Sequence, residues 1–419
     1  MPAQTLYHAR HVLPVSREPI TDGAVVVEGE RILAVGPHAD LRVGYPNARP
    51  VALGDALLMP SAINAHTHLE LTEHAGAVPE GLPFAEWIVA VVRASRNRRP
   101  ADFQRAAEAG VRMLLASGTA AVGEICTHGA SVEPIVASGL RGVVYYELLG
   151  VDPELAPDFL ARGQRQLWEW AERYPGASVR FGLSLHTPYT VSARLFELAG
   201  AWCRAEGVPL CIHAAESPAE TQWLLDGTGP IADTIYASAG WPITPQSAPG
   251  CSPIAYLDRL GALAARPLLV HGVRVSTEDL ETLARRRVAV AHCPRSNAWL
   301  VCGRMPYAAY ERAGVRVALG TDSLASAPTL SLWDEAAAAY ATHRAAGDTA
   351  TPAALLRHAT LDGAVALGLE NELGSLESGK LAQLACASLS PLSEREREDA
   401  QSVLTALMEG RLEPGPVQA

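Results

Sequence analysis

The segment LLMPSAINAHTH, Leu57 to His68, is an apolar run that ends in two histidines separated by a single residue. In an extended strand alternate side chains share a face, so His66 and His68 project to the same side at the end of this strand. Seven further apolar runs follow it: AAVGEI from Ala120, GVVYYELLG from Gly142, VRFGLSLH from Val179, VPLCIHAAE from Val208, PLLVHG from Pro267, VAVAHCP from Val288 and VRVALGTDS from Val315. Amphipathic segments of helical length lie between them, including ADFQRAAEAGVRMLLA from Ala101, DFLARGQRQLWEWAER from Asp158, SARLFELAGAWCRA from Ser192, STEDLETLARRR from Ser276 and SLWDEAAAAYATHRA from Ser331. Strand and helix in alternation build a parallel sheet, and eight such units predict a closed (β/α)8 barrel. The alternative, an open doubly wound sheet, more often places a glycine-rich phosphate turn after an early strand, and none is present.

Outside this repeat the texture changes. Residues 1–56 are short strands and turns, and ITDGAVVVEGERILAVGP, Ile20 to Pro37, reads as a hairpin. LGSLESGKLAQLACASL, Leu373 to Leu389, reads as strand, glycine turn, strand. The two ends are therefore expected to share one small β domain, residues 1–56 and 369–419, around a barrel of residues 57–368. A chain of 419 residues suits one large barrel with a satellite. The stretch from Gly227 to Cys251 is long and rich in Gly and Pro, which marks it as a candidate lid or substrate loop.

Composition removes several classes of function. With 48% hydrophobic and 19% charged residues the chain folds rather than staying disordered. A net charge of -11 opposes nucleic-acid binding, which needs a basic stripe. No apolar run approaches the roughly 18 to 20 residues that cross a bilayer, and the opening MPAQTLYHARHVLP lacks a secretory apolar core. A cytoplasmic protein with reduced cysteines is expected, since its seven cysteines form no CxxC pair.

The chemistry sits at the strand ends. Besides His66 and His68, His186 closes the fourth strand run, His213 lies in the fifth, His271 in the sixth and Asp322 in the eighth. Barrel active sites are built at the C-terminal strand ends. Imidazole nitrogens with a carboxylate suit Zn2+, and Fe2+ or Mn2+ accept the same donors. One strand-end histidine is more often a hydrogen-bonded core residue than a ligand. Five in register with an aspartate favour the metal. Glu216 has its own plain explanation, as an acid at the start of a helix running through SPAETQWLL.

Together INAHTHLEL, HAAE, LVHG, HCPRSN and GTDS resemble the amidohydrolase superfamily, in its cytosine deaminase, guanine deaminase and chlorohydrolase-like branch, over almost the whole chain. The resemblance implies a barrel with a small β-sandwich domain built from both termini. It implies that His66, His68, His213 and Asp322 hold one divalent metal, Zn2+ before Fe2+ or Mn2+. Glu216 then shuttles protons, His271 contacts the metal-bound water and Asp322 takes a proton from it. Gln383 stands where an acidic residue is usual, in the small domain and away from this chemistry. Lys380 is the sole lysine and lies outside the barrel, which excludes the carboxylated-lysine bridge of binuclear relatives. Glu147 is left to face the substrate or to support a second metal.

For the substrate, Trp87 offers a stacking surface, His186 opens an HTPYTVS segment similar to the HxPY of nucleoside-type deaminases, and Asn297 and Ser323 offer polar contacts. The implied reaction is hydrolytic deamination of an aminopurine nucleoside-like small molecule, with release of ammonia. Within the branch the chain looks most like the deaminases of 6-aminodeoxyfutalosine, in the futalosine route to menaquinone. Alternatives are an adenosine or S-adenosylhomocysteine type deaminase, or an s-triazine or N-acyl hydrolase. Relatives that have lost the ligands serve as non-enzymatic binding proteins, and the complete ligand set here opposes that reading. The resemblance leaves room for a homodimer.

Overall fold

The computed structural model describes residues 3–242 and 248–417. Four strands open the chain: β1 (Gln4–Val12), β2 (Ile20–Glu28), β3 (Arg31–Pro37) and β4 (Arg49–Pro60). Eight more follow in the middle: β5 (Ala62–Thr67), β6 (Thr119–Cys126), β7 (Arg141–Leu148), β8 (Val179–Leu185), β9 (Leu210–Ala214), β10 (Leu268–His271), β11 (Ala289–His292) and β12 (Val317–Leu319). Near the end come β13 (Leu384–Ser388) and β14 (Gly415–Pro416).

Strands β5 to β12 form one sheet in chain order, with a helix or helices after each strand. A parallel bridge between Thr67 and Asp322 brings the first strand to the segment after the last, which makes the sheet a nearly closed (β/α)8 barrel. Every residue of β5 and β6 is buried. Covered on both faces, such strands carry continuous apolar runs rather than alternating ones, which is why each was visible as a short hydrophobic block. Serine caps start the helices Ala193–Glu206, Pro218–Asp226, Thr277–Arg286 and Leu332–Ala345, each accepting a backbone N–H from the first turn.

The termini meet in a six-stranded sheet of order β14-β13-β4-β1-β2-β3, in which β1 and β4 pair parallel and the other pairs run antiparallel. The resemblance led us to expect a two-layer sandwich, and the described residues hold this one mixed sheet. Both of its faces have apolar cores: Tyr7, Val25, Val27 and Ile32 belong to one, Leu6, Ala24 and Val26 to the other. The β2 run Ala24–Val27 is apolar throughout because each face of the sheet is covered.

The chain divides into two compact units, residues 1–64, 113–121 and 331–419 in one, 65–112 and 122–330 in the other.

Two local readings need correction. Of the expected pair of strands in Leu373–Leu389, only β13 forms, and its partners are β4 and β14 rather than the preceding residues. The Gly-Ser-Leu-Glu-Ser-Gly stretch before it is instead tied through Lys380 Nζ, which donates to Ser375 Oγ at 2.7 Å and Leu373 O at 3.3 Å. The candidate lid is also more ordered than its composition suggested. Its Ile231–Tyr236 segment is a π-helical turn with Ile231, Ile235 and Tyr236 buried, because this spacing places those side chains on one face. The Tyr236 hydroxyl donates to Tyr189 O at 2.8 Å, and residues 243–247 of the stretch lie outside the described residues.

No helix among the described residues is long and apolar enough to cross a membrane.

Candidate active site

The strand-end residues converge. The His66 ring lies 4.9 Å from those of His68 and His213 and 6.0 Å from that of His271, centroid to centroid. Asp322 Oδ1 lies 3.8 Å from His66 Nε2 and 3.7 Å from His68 Nε2, too far for a hydrogen bond. Two donors each about 2.0–2.1 Å from one ion stand roughly 3.3 Å apart at tetrahedral corners, so this gap is close to the spacing of two ligands of one cation. Donor atoms of His66, His68 and Asp322 lie within 4.8 Å of one another, as do those of His66, His213 and His271.

The residues behind these groups orient them for the same task. His213 Nδ1 donates to the His186 carbonyl at 3.0 Å, which leaves the Nε2 lone pair facing inward. His271 Nδ1 donates to Asn297 Oδ1 at 3.1 Å with the same result. Asp322 Oδ2 accepts from Ser296 Oγ at 2.6 Å and Ser326 Oγ at 3.1 Å, which turns Oδ1 toward the histidines. Burial, reinforced by neighbouring imidazoles, holds His66 and His213 well below the usual histidine range, so both are neutral and able to ligate. Burial likewise brings His271 down to about 4, against the opposing pull of Asp322. The donor set, its inward lone pairs and its spacing all fit a divalent transition metal.

Glu216 follows β9 immediately before the helix Pro218–Asp226, and its Oε1 lies 3.5 Å from His271 Nε2. Burial, then the nearby charges of Asp322 and Glu220, raises its carboxyl well above the ordinary range. Glu220 fixes the turn beneath it by accepting from Ala215 N at 3.0 Å and Glu216 N at 2.8 Å. Ala215, His271 and Asp322 all have left-handed backbones, with φ of 55°, 75° and 59°. Each costs about 1–3 kcal/mol in a residue other than glycine, and such strain persists where surrounding bonds impose it.

A cavity of about 660 Å³ opens over the cluster, lined by His68, Trp87, Glu147, His186, His213, Glu216, His271, Asp322 and Ser323, with other groups further out. Trp87 belongs to the helix Phe84–Ser95, and its Nε1 donates to Ala325 O at 3.1 Å. Glu147, on β7, accepts from Thr127 Oγ1 at 2.8 Å through Oε2, while its Oε1 is buried without a partner. His186 Nδ1 is 2.8 Å from Thr190 Oγ1. Asn297 departs from the expected substrate contact: it is 1% exposed, lies off the cavity wall and supports His271 from behind.

Three acids with structural duties, Glu70, Glu124 and Glu220, went unread in the sequence. Glu70 accepts from the backbone N–H groups of Thr127, His128 and Ala130 at 3.1, 2.8 and 2.7 Å, and so shapes the loop that presents Thr127 to Glu147. Glu124 accepts from Leu69 N, next to His68, at 3.0 and 3.1 Å. Glu220 is described above. Only position just past a histidine motif could have flagged Glu70.

Barrel, strand-end histidines and a carboxylate define a hydrolase of the metal-dependent barrel type. Residues 57–411 match the Amidohydrolase family, and the chain belongs to that family, whose chemistry here is hydrolysis of C–N bonds. Residues 23–48 match a bacterial imidazolonepropionase-like composite domain. The chain is 40% identical over 319 residues to an aminodeoxyfutalosine deaminase of Deinococcus radiodurans, covering 75% of this chain and 74% of that protein. It is 30% identical over 381 residues to a 5-methylthioadenosine/S-adenosylhomocysteine deaminase of Moorella thermoacetica, covering 89% and 83%. An adenosine deaminase structure from Xanthomonas campestris with bound zinc superposes with a TM-score of 0.79 at 29% identity, covering 97% of this chain and 89% of that one.

Proposed function

We propose that the protein deaminates an aminopurine nucleoside, with 6-aminodeoxyfutalosine as the preferred substrate, and that it holds one Zn2+ on His66, His68, His213 and Asp322. In this reading it works in the cytoplasm, in the futalosine route to menaquinone. The observation that carries the proposal is the Glu216 carboxyl, buried 3.5 Å from His271 Nε2 beside the ligand cluster and facing a nucleoside-sized cavity. The name of the Deinococcus relative supports the preferred substrate, and that of the Moorella relative supports the aminopurine nucleoside class alone.

A divalent ion bound there supplies acidified water, with its pKa lowered from about 15.7 toward about 7. The side chains manage the protons. His271 Nε2, its other nitrogen held by Asn297, accepts from the attacking water and orients it. Asp322 Oδ1 takes the proton that this water loses. Glu216, neutral by burial, donates to a purine ring nitrogen and makes the amino-bearing carbon electrophilic. The proton held by Asp322 then passes to the exocyclic amine and ammonia leaves; the remaining hydroxyl proton returns to Glu216 as the oxygen becomes a carbonyl, and the ring nitrogen keeps the proton it received. Trp87 and Ser323 bound the inner cavity, and His186 and the Glu147 carboxyl, whose buried Oε1 has no partner, offer the sugar and base polar groups.

Donor atoms of Glu147, His186 and His213 also lie within 4.8 Å of one another, which favours a second reading with two ions per chain. Metal analysis of protein purified without chelators separates the two by stoichiometry. The activity is tested by ammonia release from 6-aminodeoxyfutalosine, 5-methylthioadenosine, S-adenosylhomocysteine, adenosine, guanine, cytosine and melamine. The expected result is a kcat/KM for 6-aminodeoxyfutalosine at least tenfold above the others. Equal weak rates on all would overturn the substrate, and turnover of melamine alone would overturn the purine reading.

A further inference from the structure

The cavity continues past the residues that the reaction uses. Its wall is one face of the helix Phe84–Ser95: Trp87, Ile88, Val91, Val92 and Ser95. Trp87 is fastened beside the Asp322 segment through Ala325 O, and Ser95 lies eight residues along, about 12 Å away at 1.5 Å per residue. Aliphatic groups dominate this stretch, and Val92, which lines the cavity, is 50% exposed. Phe103 lines the cavity as well, its ring tilted by 33° against that of His128 with 4.0 Å between centroids. Arg96 and Arg98, which follow the end of this helix away from Trp87, line the cavity too.

The charge here runs against that of the whole molecule. Four arginines fall within residues 93–99 of a chain whose net charge is -11. Arg98 is neutralised by Glu73, donating to its Oε2 at 3.0 Å and its carbonyl at 2.7 Å. Arg99 pairs with Asp102 at 3.5 Å. The exposed Arg96 side chain has no ion pair or hydrogen bond among the described residues, and only its backbone N–H is bonded, to Arg93 O at 3.3 Å.

We infer that the outer half of the cavity takes the 5′ arm of the nucleoside, an apolar arm that ends in an anion, and that Arg96 is the group that selects for it. This rests on the deaminase reading: Glu216 must reach a ring nitrogen, so the base lies inward and the 5′ carbon faces the helix. Ile88, Val91, Val92 and Phe103 then cover the apolar length of the arm, and the guanidinium meets its carboxylate.

The test compares two nucleosides that share the base and differ in the arm: 5-methylthioadenosine, uncharged, and 6-aminodeoxyfutalosine, whose arm ends in a benzoate. In Arg96→Ala the KM for the benzoate substrate is expected to rise about tenfold with kcat little changed, while 5-methylthioadenosine is unaffected. Arg96→Lys should recover part of the loss. Val92→Glu, at a half-exposed position that tolerates polarity, should weaken the benzoate substrate selectively by repulsion. Equal effects on both substrates, or none on either, would overturn the assignment. Calorimetric titration with futalosine, the deaminated product, reads the arm without turnover. If the wild-type enzyme deaminates neither nucleoside, the deaminase reading fails, and the titration still decides the subsite: futalosine binding that is unchanged by Arg96→Ala refutes it.

Discussion

Glu216 and Glu220 stand one helical turn apart, and burial acts on both with different consequences. The carboxyl of Glu216 faces the cavity, where a neutral acid has a proton to give. Glu216→Gln keeps its size and leaves the ligand set intact, so metal content should match the wild type while kcat falls by about 10²–10⁴. Turnover within a few-fold of wild type would remove Glu216 from the reaction. Glu220 faces the backbone instead, and burial raises it from 4.5 to about 7 despite N–H bonds from Ala215, Glu216 and Ser217. The unfolded chain loses this proton near 4.5, whereas the folded protein keeps it to about 7. Between those values the folded state binds more protons, so the group costs stability progressively as pH rises through the window. Glu220→Gln abolishes that titration. From pH 5 to 8 the unfolding free energy of the wild type should fall relative to the variant by on the order of 2 kcal/mol, read from urea unfolding; parallel curves would refute the assignment. These two acids also show why the site was half legible. Side chains aimed into a barrel mouth reveal themselves by their place at the end of an apolar run, as His66, His213, His271 and Asp322 did. Glu70, Glu124, Glu220 and Ser296 act on backbone amides or on other side chains, and spacing in the chain does not show which partner lies across the fold.

At the scale of elements, the barrel was legible because a parallel strand buried on both faces is a short, mostly apolar block; seven such blocks became barrel strands, while the first, read as one strand from Leu57, divides into the end of β4 in the terminal sheet and the barrel strand β5. The β domain was harder to read. A strand such as β13 is defined by partners, β4 and β14, that lie more than three hundred residues away and at the extreme end, so its neighbours in sequence gave a misleading hairpin. The closeness of β12 to β5 was hidden too, though the Gly in GTDS marks it. A Cβ at Gly320 would stand 2.7 Å from His66 Cβ and 3.0 Å from His66 N. His66 is fully buried and has no room to retreat. Gly320→Ala should therefore force the strands apart, at about 1–3 kcal/mol and with loss of bound metal as His66 shifts away from Asp322. A thermal midpoint and metal content equal to wild type would show that the contact relaxes freely.

At the scale of the whole barrel, the seam between its first and last strands is where the proposed metal site and the fold coincide. Seven strand-to-strand steps run through the sheet, whereas the eighth is one bridge, Thr67 to Asp322. Among the hydrogen bonds that hold it, Asp322 N donates to His66 O at 3.1 Å, and Thr67 Oγ1 donates to Asp322 O at 3.1 Å. The proposed ligands straddle this seam, His66 and His68 on the β5 side and Asp322 on the β12 side. A cation there would link both edges, and at a free concentration a hundred times its Kd it stabilises the folded state by about 2.7 kcal/mol. Stripping it with a chelator should lower the thermal midpoint by several degrees. The loss should also be local: hydrogen exchange at the Asp322 amide should accelerate at least tenfold, while amides in β1, β2 and β4 of the terminal sheet keep their protection. Uniform acceleration everywhere would mean that the ion stabilises the fold without closing the seam, and unchanged exchange at Asp322 would place the ion elsewhere.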